Sequence, residues 1–536
     1  MPAPTPAPDD PASDLGLIPR PVHAERGRAS LVLPPRVSLD GPPEWVDALR
    51  TLVSPGSGLR FDEAADPLVR LVPDDAQPAE GYELAVGDTG VTLRASSRAG
   101  LLHGIQTLRQ LLPAWASGLA PVPDRPVTLP HVRIVDVPRF AWRGMHLDVG
   151  RHFQPLASLF RLVDLLAMHK LNVLHLHLTD DQGWRFQVLA LPRLTQVGAV
   201  RAETRLPTWE AGDGTPHGGY YTQDQLRSLV AHAAERGVTI VPEIDLPGHV
   251  RSLLAAYPEF GEPGAQPTTV ATRPGIFPEV LHLSDASVAM VEAVLTELLD
   301  VFPSPDIHIG GDECPREQWR ASATAAELAV ERGLAGVEQL QPWFTRHLGE
   351  WLAARGRRLV GWDEIIDDGA QVPGAVVMSW RGSEPGARAM VQGNDVVLAA
   401  PPFYLDFYQS PSPDEPYAIG GLSTWEDVLT TDPYAGLPPG QRAHLLGVQG
   451  QLWTEYLPTP EQVEYMAFPR AAALAELAWS PEPAGTAEFG ERLQRHAARL
   501  DASGVNHRPL EGPLPWQRGG RGRFTRPPGH RAAPES

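Results

Sequence analysis

Residues 156–181 read LASLFRLVDLLAMHKLNVLHLHLTDD. Apolar residues recur at helical spacing from Leu156 to His169, and a short apolar strand follows from Asn172 to Leu178. That strand ends in Thr179-Asp180-Asp181. A helix, a buried strand and then acids at the strand's far end make one repeat of an α/β fold. The same pattern extends in both directions. Strands are predicted at Gly144–Val149, Thr239–Ile244, Asp306–Ile309, Leu359–Gly361, Ala375–Ser379, Asp395–Ala399 and Leu446–Leu452. Helices are predicted at Gln223–Arg236, Val288–Val301, Leu340–Ala354 and Glu461–Trp479. Eight strands alternating with helices predict a (β/α)8 TIM barrel, class α/β. A doubly wound sheet is the alternative. It usually carries a glycine-rich phosphate turn after its first strand, and none follows Val149.

The barrel reading can be tested on the sequence itself, because barrel enzymes keep their chemistry at the C-terminal ends of the strands. Polar residues gather there. The third strand ends in Glu243-Ile244-Asp245 followed by Pro247-Gly248-His249, and the fourth in Gly310-Gly311-Asp312-Glu313. The fifth ends in Trp362-Asp363-Glu364, the sixth in Trp380 and the eighth in Trp453-Thr454-Glu455.

The flanks are simpler. Residues 1–14 read as a disordered tail rich in Pro, Ala and Asp, and 15–136 as a small α+β domain. Its strand-like runs are Tyr82–Val86 and Val91–Arg94, and its helix is Gly100–Leu112. The barrel then takes 137–510, and 511–536, which carries RGGRGRF, reads as a flexible tail. The net charge of −20 argues against nucleic acid or an anionic membrane as partner. Arginine supplies nearly all the positive charge, since Lys170 is the sole lysine. One cysteine, Cys314, excludes an intrachain disulfide or a thiolate cluster. The sequence has neither an apolar run of membrane-spanning length nor a signal-peptide pattern at its start, so the expectation is a cytoplasmic enzyme.

Carboxylates and indoles around one barrel mouth suit a sugar. Acids hydrogen-bond hydroxyl pairs, and indole faces pack on the C–H face of a pyranose. Glycoside hydrolysis also needs a carboxylic acid to protonate the leaving oxygen. Asp312 and Glu313 are adjacent, so their side chains diverge and cannot form the usual pair about 5 Å apart across the bond. Either the two acids divide the labour differently or one is a helix cap. His175 and His177 alternate along one strand and face the same way, which admits a second class, a metal-dependent hydrolase using His175, His177 and Asp180. Buried layer-filling histidines explain the pair better, and no metal or cofactor is expected. A third class is a sugar-binding module without catalysis, which would not need a proton donor.

As a set the motifs resemble glycoside hydrolase family 20 over roughly residues 80–480. They are ASSRAGLLHGIQTLRQLL, RGMHLDVGRHF, LHLHLTDDQGWR, VPEIDLPGH, HIGGDE, VGWDEI, SW, YLDFY and QLWTE, in the family's order. The resemblance implies a retaining exo-β-N-acetylhexosaminidase acting on glycans that end in N-acetylglucosamine or N-acetylgalactosamine. It implies substrate assistance, in which the substrate's own acetamide oxygen attacks C1, an exception to the two-carboxylate rule. Glu313 would be the acid/base, Asp312 would orient the acetamide and steady its positive charge, and Tyr404 would hold its carbonyl. Trp362, Trp380 and Trp453 would wall the acetamide. Arg143 and Glu455 would bind sugar hydroxyls, and Asp406 would contact the sugar. Asp180 and His249 complete the substrate-binding set as a relay to Glu313. One departure is Gln449, in GVQGQLWTE, where an acid is expected.

Overall fold

The computed structural model describes residues 15–206, 211–266 and 268–518. The predicted tail at 1–14 and the segment 519–536 lie outside the described residues.

Eight parallel strands close into a barrel in chain order. They are β1 (Trp142–Asp148), β2 (Val173–His177), β3 (Thr239–Glu243), β4 (Asp306–His308), β5 (Arg358–Trp362), β6 (Val376–Ser379), β7 (Asp395–Leu398) and β8 (Leu445–Gly450). β8 pairs with β1 from Gly447↔Trp142 to Gly450↔Met145, which closes the ring. Every predicted strand is present, shifted by no more than a residue or two at each end. Outside the ring, the helix Leu156–Met168 buries Leu159, Leu162, Val163 and Leu166 against it. Helix Gln223–Glu235 starts at a capping box, in which Thr222 and Gln225 satisfy each other's backbone N–H groups. The predicted helix Glu461–Trp479 is two helices, Pro460–Ala467 and Arg470–Trp479. The break falls at Pro469, which has no N–H to continue the ladder.

Before the barrel lies a seven-stranded sheet in the order His23–Leu33, Val127–Asp136, Tyr82–Gly87, Gly90–Ala95, Val69–Pro73, Arg36–Asp40, Arg60–Glu63. Sequence periodicity finds only two of these strands. The helix Arg98–Leu111 is capped by Ser97 and packs on the sheet. It also reaches the barrel, where Gln110 Nε2 donates to the Met168 carbonyl at 3.2 Å.

Two buried cations lock the sheet domain to the bottom of the barrel. Lys170 Nζ lies 2.8 Å from Asp136 and 2.9 Å from the Tyr82 hydroxyl. Arg143, fully buried at the N-terminal end of β1, donates to Glu80 at 2.7 Å and to the Phe140 and Lys170 carbonyls. At the other end of the chain, residues 511–518 are docked rather than tail-like. Gln517 is buried and donates to the His507 carbonyl, and Arg518 pairs with Asp414. No helix among the described residues is long and apolar enough to cross a membrane.

Candidate active site at the barrel mouth

The middle of the barrel is polar. Glu243 of β3 sits fully buried among His175 (3.0 Å), His177 (2.6 Å) and His308 (3.0 Å), and accepts from the Trp362 indole at 2.9 Å. Burial alone would raise Glu243, but His177, then His308 and His175, outweigh it and hold the group well below the carboxylate range. His177 is bridged by two acids, Glu243 on Nδ1 and Asp180 on Nε2 at 2.9 Å. Burial disfavours its charge, yet Glu243 and Asp180 raise it well above an ordinary imidazole. His146, His177 and Glu243 are close enough together to grip a cation. With an acid on each nitrogen, however, His177 has no lone pair left for a metal, which counts against the metal-hydrolase reading. Gln449, the departure noted in β8, also lies in this layer, with its oxygen on the Trp142 indole and its amide nitrogen 3.1 Å from His175. It is an interior support and does not reach the rim.

Above this layer opens a pocket of about 160 Å³ lined by Arg151, Asp312, Glu313, Trp362, Trp380, Tyr404, Asp406 and Trp453, with Phe407, Ile419 and Glu455. Trp362 and Trp453 lie 5.7 Å apart with their rings tilted by 42°. The Trp380 indole N–H donates to Glu364 at 2.9 Å, and its backbone N–H to Asp363. Tyr404 meets Phe407 edge-on at 5.1 Å. One oxygen of Asp312 and one of Asp406 are buried without a hydrogen-bond partner. A buried carboxylate oxygen left unpaired is costly, so both are suited to donors on a ligand.

The turn after β4 explains its glycines. Gly310 has φ +69°, and a Cβ there would lie 1.7 Å from the Asp245 carboxylate. Asp245 accepts from the Gly311 N–H at 3.2 Å. Only glycine allows this approach. Glu313 itself has φ +45° and His249 φ +50°. Such angles are rare for side-chain-bearing residues and concentrate at functional sites. The turn leaves Asp312 at 8% exposure, while the Glu313 side chain is 33% exposed toward the mouth. Burial raises Asp312, His249 opposes the rise, and Glu243 and Glu313 add to it.

Behind Glu313 stands His249, 3.5 Å away. Burial disfavours its charge, but Asp180, Asp181 and Glu313 hold it well above the usual imidazole value. The nearer acid is Asp181 at 3.0 Å, with Asp180 at 3.6 Å. The predicted relay therefore includes Asp181, which the sequence reading passed over. Asp180 and His249 do not line the pocket.

Arg143 requires a correction. Its place at the bottom of β1, against Glu80, takes it out of the pocket altogether. The pocket arginine is Arg151, three residues past the end of β1. Its guanidinium lies 2.9 Å from Asp180, 3.4 Å from Asp148 and 5.0 Å above the Trp453 ring. Arg151→Ala is expected to lower kcat/KM by roughly 10²-fold or more, as loss of a charged ligand contact does. Arg143→Met should instead lower Tm, since it strands Glu80, and leave KM near normal in the folded fraction. Steady-state kinetics beside thermal melts separate the two.

Glu364 is a second residue with a measurable role. Burial, then repulsion from Asp312 and Asp363, push it up to about 8. Between its ordinary 4.5 and about 8 the folded protein holds a proton there that the unfolded chain has lost. The stability contributed by this group therefore falls as pH rises through that window. Glu364→Gln keeps an acceptor for Trp380 and removes the titration. The drop in Tm between about pH 6 and about pH 9 should become smaller than in the wild type.

Comparison with known proteins agrees with this geometry. The profile for glycosyl hydrolase family 20, catalytic domain, matches residues 140–482, and that for domain 2 of the family matches 14–137. The chain belongs to glycoside hydrolase family 20. It is 40% identical over 452 residues to a beta-hexosaminidase of Porphyromonas gingivalis, covering 83% of this chain and 56% of that protein. A beta-hexosaminidase of Vibrio furnissii is 34% identical over 478 residues, covering 87% and 76%. The chain thus spans little more than half of the first relative and about three quarters of the second. Among solved structures, a family 20 exo-beta-N-acetylglucosaminidase of Vibrio harveyi with bound N-acetylglucosamine superposes with a TM-score of 0.82 at 29% identity, covering 94% and 80%. The Streptomyces plicatus N-acetyl-beta-hexosaminidase superposes at 0.80 with 32% identity, covering 93% and 97%.

Proposed function

We propose that this family 20 enzyme is a retaining exo-β-N-acetylhexosaminidase that removes terminal N-acetylglucosamine or N-acetylgalactosamine from oligosaccharides through an oxazolinium intermediate. One observation carries the reading. Asp312 and Tyr404 share a pocket walled by three indoles, and Glu313 stands at its mouth. Such a pocket suits an acetamide folded beneath its own sugar ring. The Tyr404 hydroxyl donates to the acetamide oxygen and aims it at C1. Asp312 accepts from the N–H as the nitrogen becomes positive. Glu313 gives its proton to the leaving oxygen, then takes one from the water that opens the oxazolinium ion. Attack within one bound molecule replaces a bimolecular encounter. Arg151, Asp406 and Glu455 offer a cation and two acids to the sugar hydroxyls.

Two carboxylates beside the pocket, Glu243 and Glu364, are poorly placed to act as a conventional enzyme nucleophile. Both oxygens of Glu243 are engaged beneath Trp362, and Glu364 is held by Trp380.

The test compares an aryl N-acetyl-β-glucosaminide with the plain aryl β-glucoside, following the anomer released by NMR. The expected result is cleavage of the first with retention and negligible turnover of the second. Equal turnover would remove the acetamide from the mechanism.

A further inference from the structure

We infer that Ile419 is the contact for the leaving group, and that it selects glycosides whose aglycone carries an apolar surface over those whose aglycone is a sugar. The inference rests on the function proposed above. Among the described residues that line the pocket, Ile419 is the large apolar side chain most open to solvent, at 44%. The inner wall is closed, with Trp362 at 1% and Asp406 at 4%. In an exo-acting enzyme the terminal sugar fills the closed part, and what projects from the mouth is the leaving group. Glu313, which must reach the leaving oxygen, is partly exposed at the same mouth.

Ile419 is held in place there by its neighbours on both sides. Tyr417 and Ala418 before it are buried, and Tyr417 packs edge-on against Tyr456 at 4.9 Å. After it, Gly421 has φ +62°, and a Cβ at that position would lie 2.1 Å from the Phe407 ring. The loop therefore sits directly on Phe407, which touches Tyr404. Leu422 then pairs with Tyr408, and the Ser423 N–H donates to the Tyr408 carbonyl at 2.9 Å. An exposed aliphatic group held between two anchors loses little freedom when it is covered.

The chemistry of the side chain sets the preference. Isoleucine offers apolar area but neither a hydrogen-bonding atom for hydroxyls nor an aromatic face for a pyranose. Covering it with an alkyl or aryl aglycone removes apolar surface from water, whereas a sugar in the same place gains little.

The experiment uses the full chain with methyl and octyl N-acetyl-β-glucosaminides and N,N′-diacetylchitobiose. Methyl and octyl leaving groups are nearly equal in basicity and differ in apolar area. Ile419→Ser should lower kcat/KM for the octyl glycoside about fourfold more than for the methyl glycoside, the worth of roughly one covered methylene. Ile419→Trp should raise kcat/KM for chitobiose relative to the methyl glycoside by a similar factor. The position is exposed, so both variants should fold. If the octyl and methyl glycosides respond in parallel to Ile419→Ser, Ile419 is not the aglycone contact. If the wild type cleaves no N-acetylglucosaminide, the function proposed above falls first, and this inference falls with it.

Discussion

Asp312→Asn and Tyr404→Phe are each expected to lower kcat by roughly 10²–10³-fold, the usual cost of removing one preorganised partner of a developing charge, and to change KM far less. In the proposed mechanism the acetamide nitrogen gains positive charge only as its oxygen bonds C1, so an anion beside it stabilises the transition state more than the ground state. Asp312 is placed for this, buried in the indole pocket with one oxygen unpartnered. Burial and the nearby Glu243 and Glu313 also raise its proton affinity, against the opposing pull of His249. The form this mechanism requires is the anion. The acid limb of kcat/KM in the wild type should therefore lie above the ordinary aspartate range, and it should vanish in Asp312→Asn. In the same proposal Tyr404 acts on that acetamide from its other end, so the double variant should lose less than the product of the single losses. A thiazoline mimic of the bound oxazoline should inhibit the wild type strongly and either variant weakly. If both variants keep near-normal kcat and the thiazoline fails on the wild type, an enzyme nucleophile must exist. Glu364 is then the carboxylate to test, because Glu243 is locked beneath Trp362.

Much of this site was legible because a barrel places chemistry by a rule that sequence periodicity can follow. Once the strands were found, their C-terminal ends pointed to Asp312, Glu313, Trp362, Trp380, Trp453 and Glu455, all of which line one pocket. Arg143 does not satisfy that rule, since it precedes the apolar part of β1. Arg151, three residues beyond the end of β1, satisfies the rule. Asp181 is hard to single out for another reason. Asp180 and Asp181 both lie past β2, and which of two adjacent acids meets His249 depends on the turn rather than on spacing. Tyr404 and Asp406 were found through the family resemblance, because they lie beyond β7 on a stretch without periodicity. The seven-stranded sheet was mostly illegible. One outer strand, Arg60–Glu63, is short and polar, and the other, His23–Leu33, shifts register between Arg26 and Ser30, so neither shows a clean alternation. Within the tail expected from 511, the described residues 511–518 are docked through Gln517 and Arg518, contacts that no local pattern announces.

Glu313→Gln is expected to cost about 10²- to 10⁴-fold in kcat on oligosaccharides, the typical worth of general acid catalysis, and much less on aryl glycosides with activated leaving groups. A sugar leaves as a strongly basic alkoxide unless it is protonated, whereas a nitrophenolate departs unaided. The loss should therefore grow with the basicity of the leaving group. His249 extends the argument. Its charge is sustained by Asp180 and Asp181, and it faces Glu313 at 3.5 Å. When Glu313 gives up its proton in the proposed mechanism, the new carboxylate meets an imidazolium already in position, inside a site where such attraction is weakly screened. Replacing His249 by Gln should thus slow substrates with poor leaving groups more than activated ones, in the same direction as Glu313→Gln but to a smaller extent. The pairing can be read from a plot of log kcat/KM against leaving-group acidity, which should be shallow in the wild type, steeper in His249→Gln and steepest in Glu313→Gln. Three parallel lines would mean that neither residue handles the leaving-group proton, and that the donor at this barrel mouth is another carboxyl, with Asp312, Asp406 and Glu455 the remaining acids in the pocket.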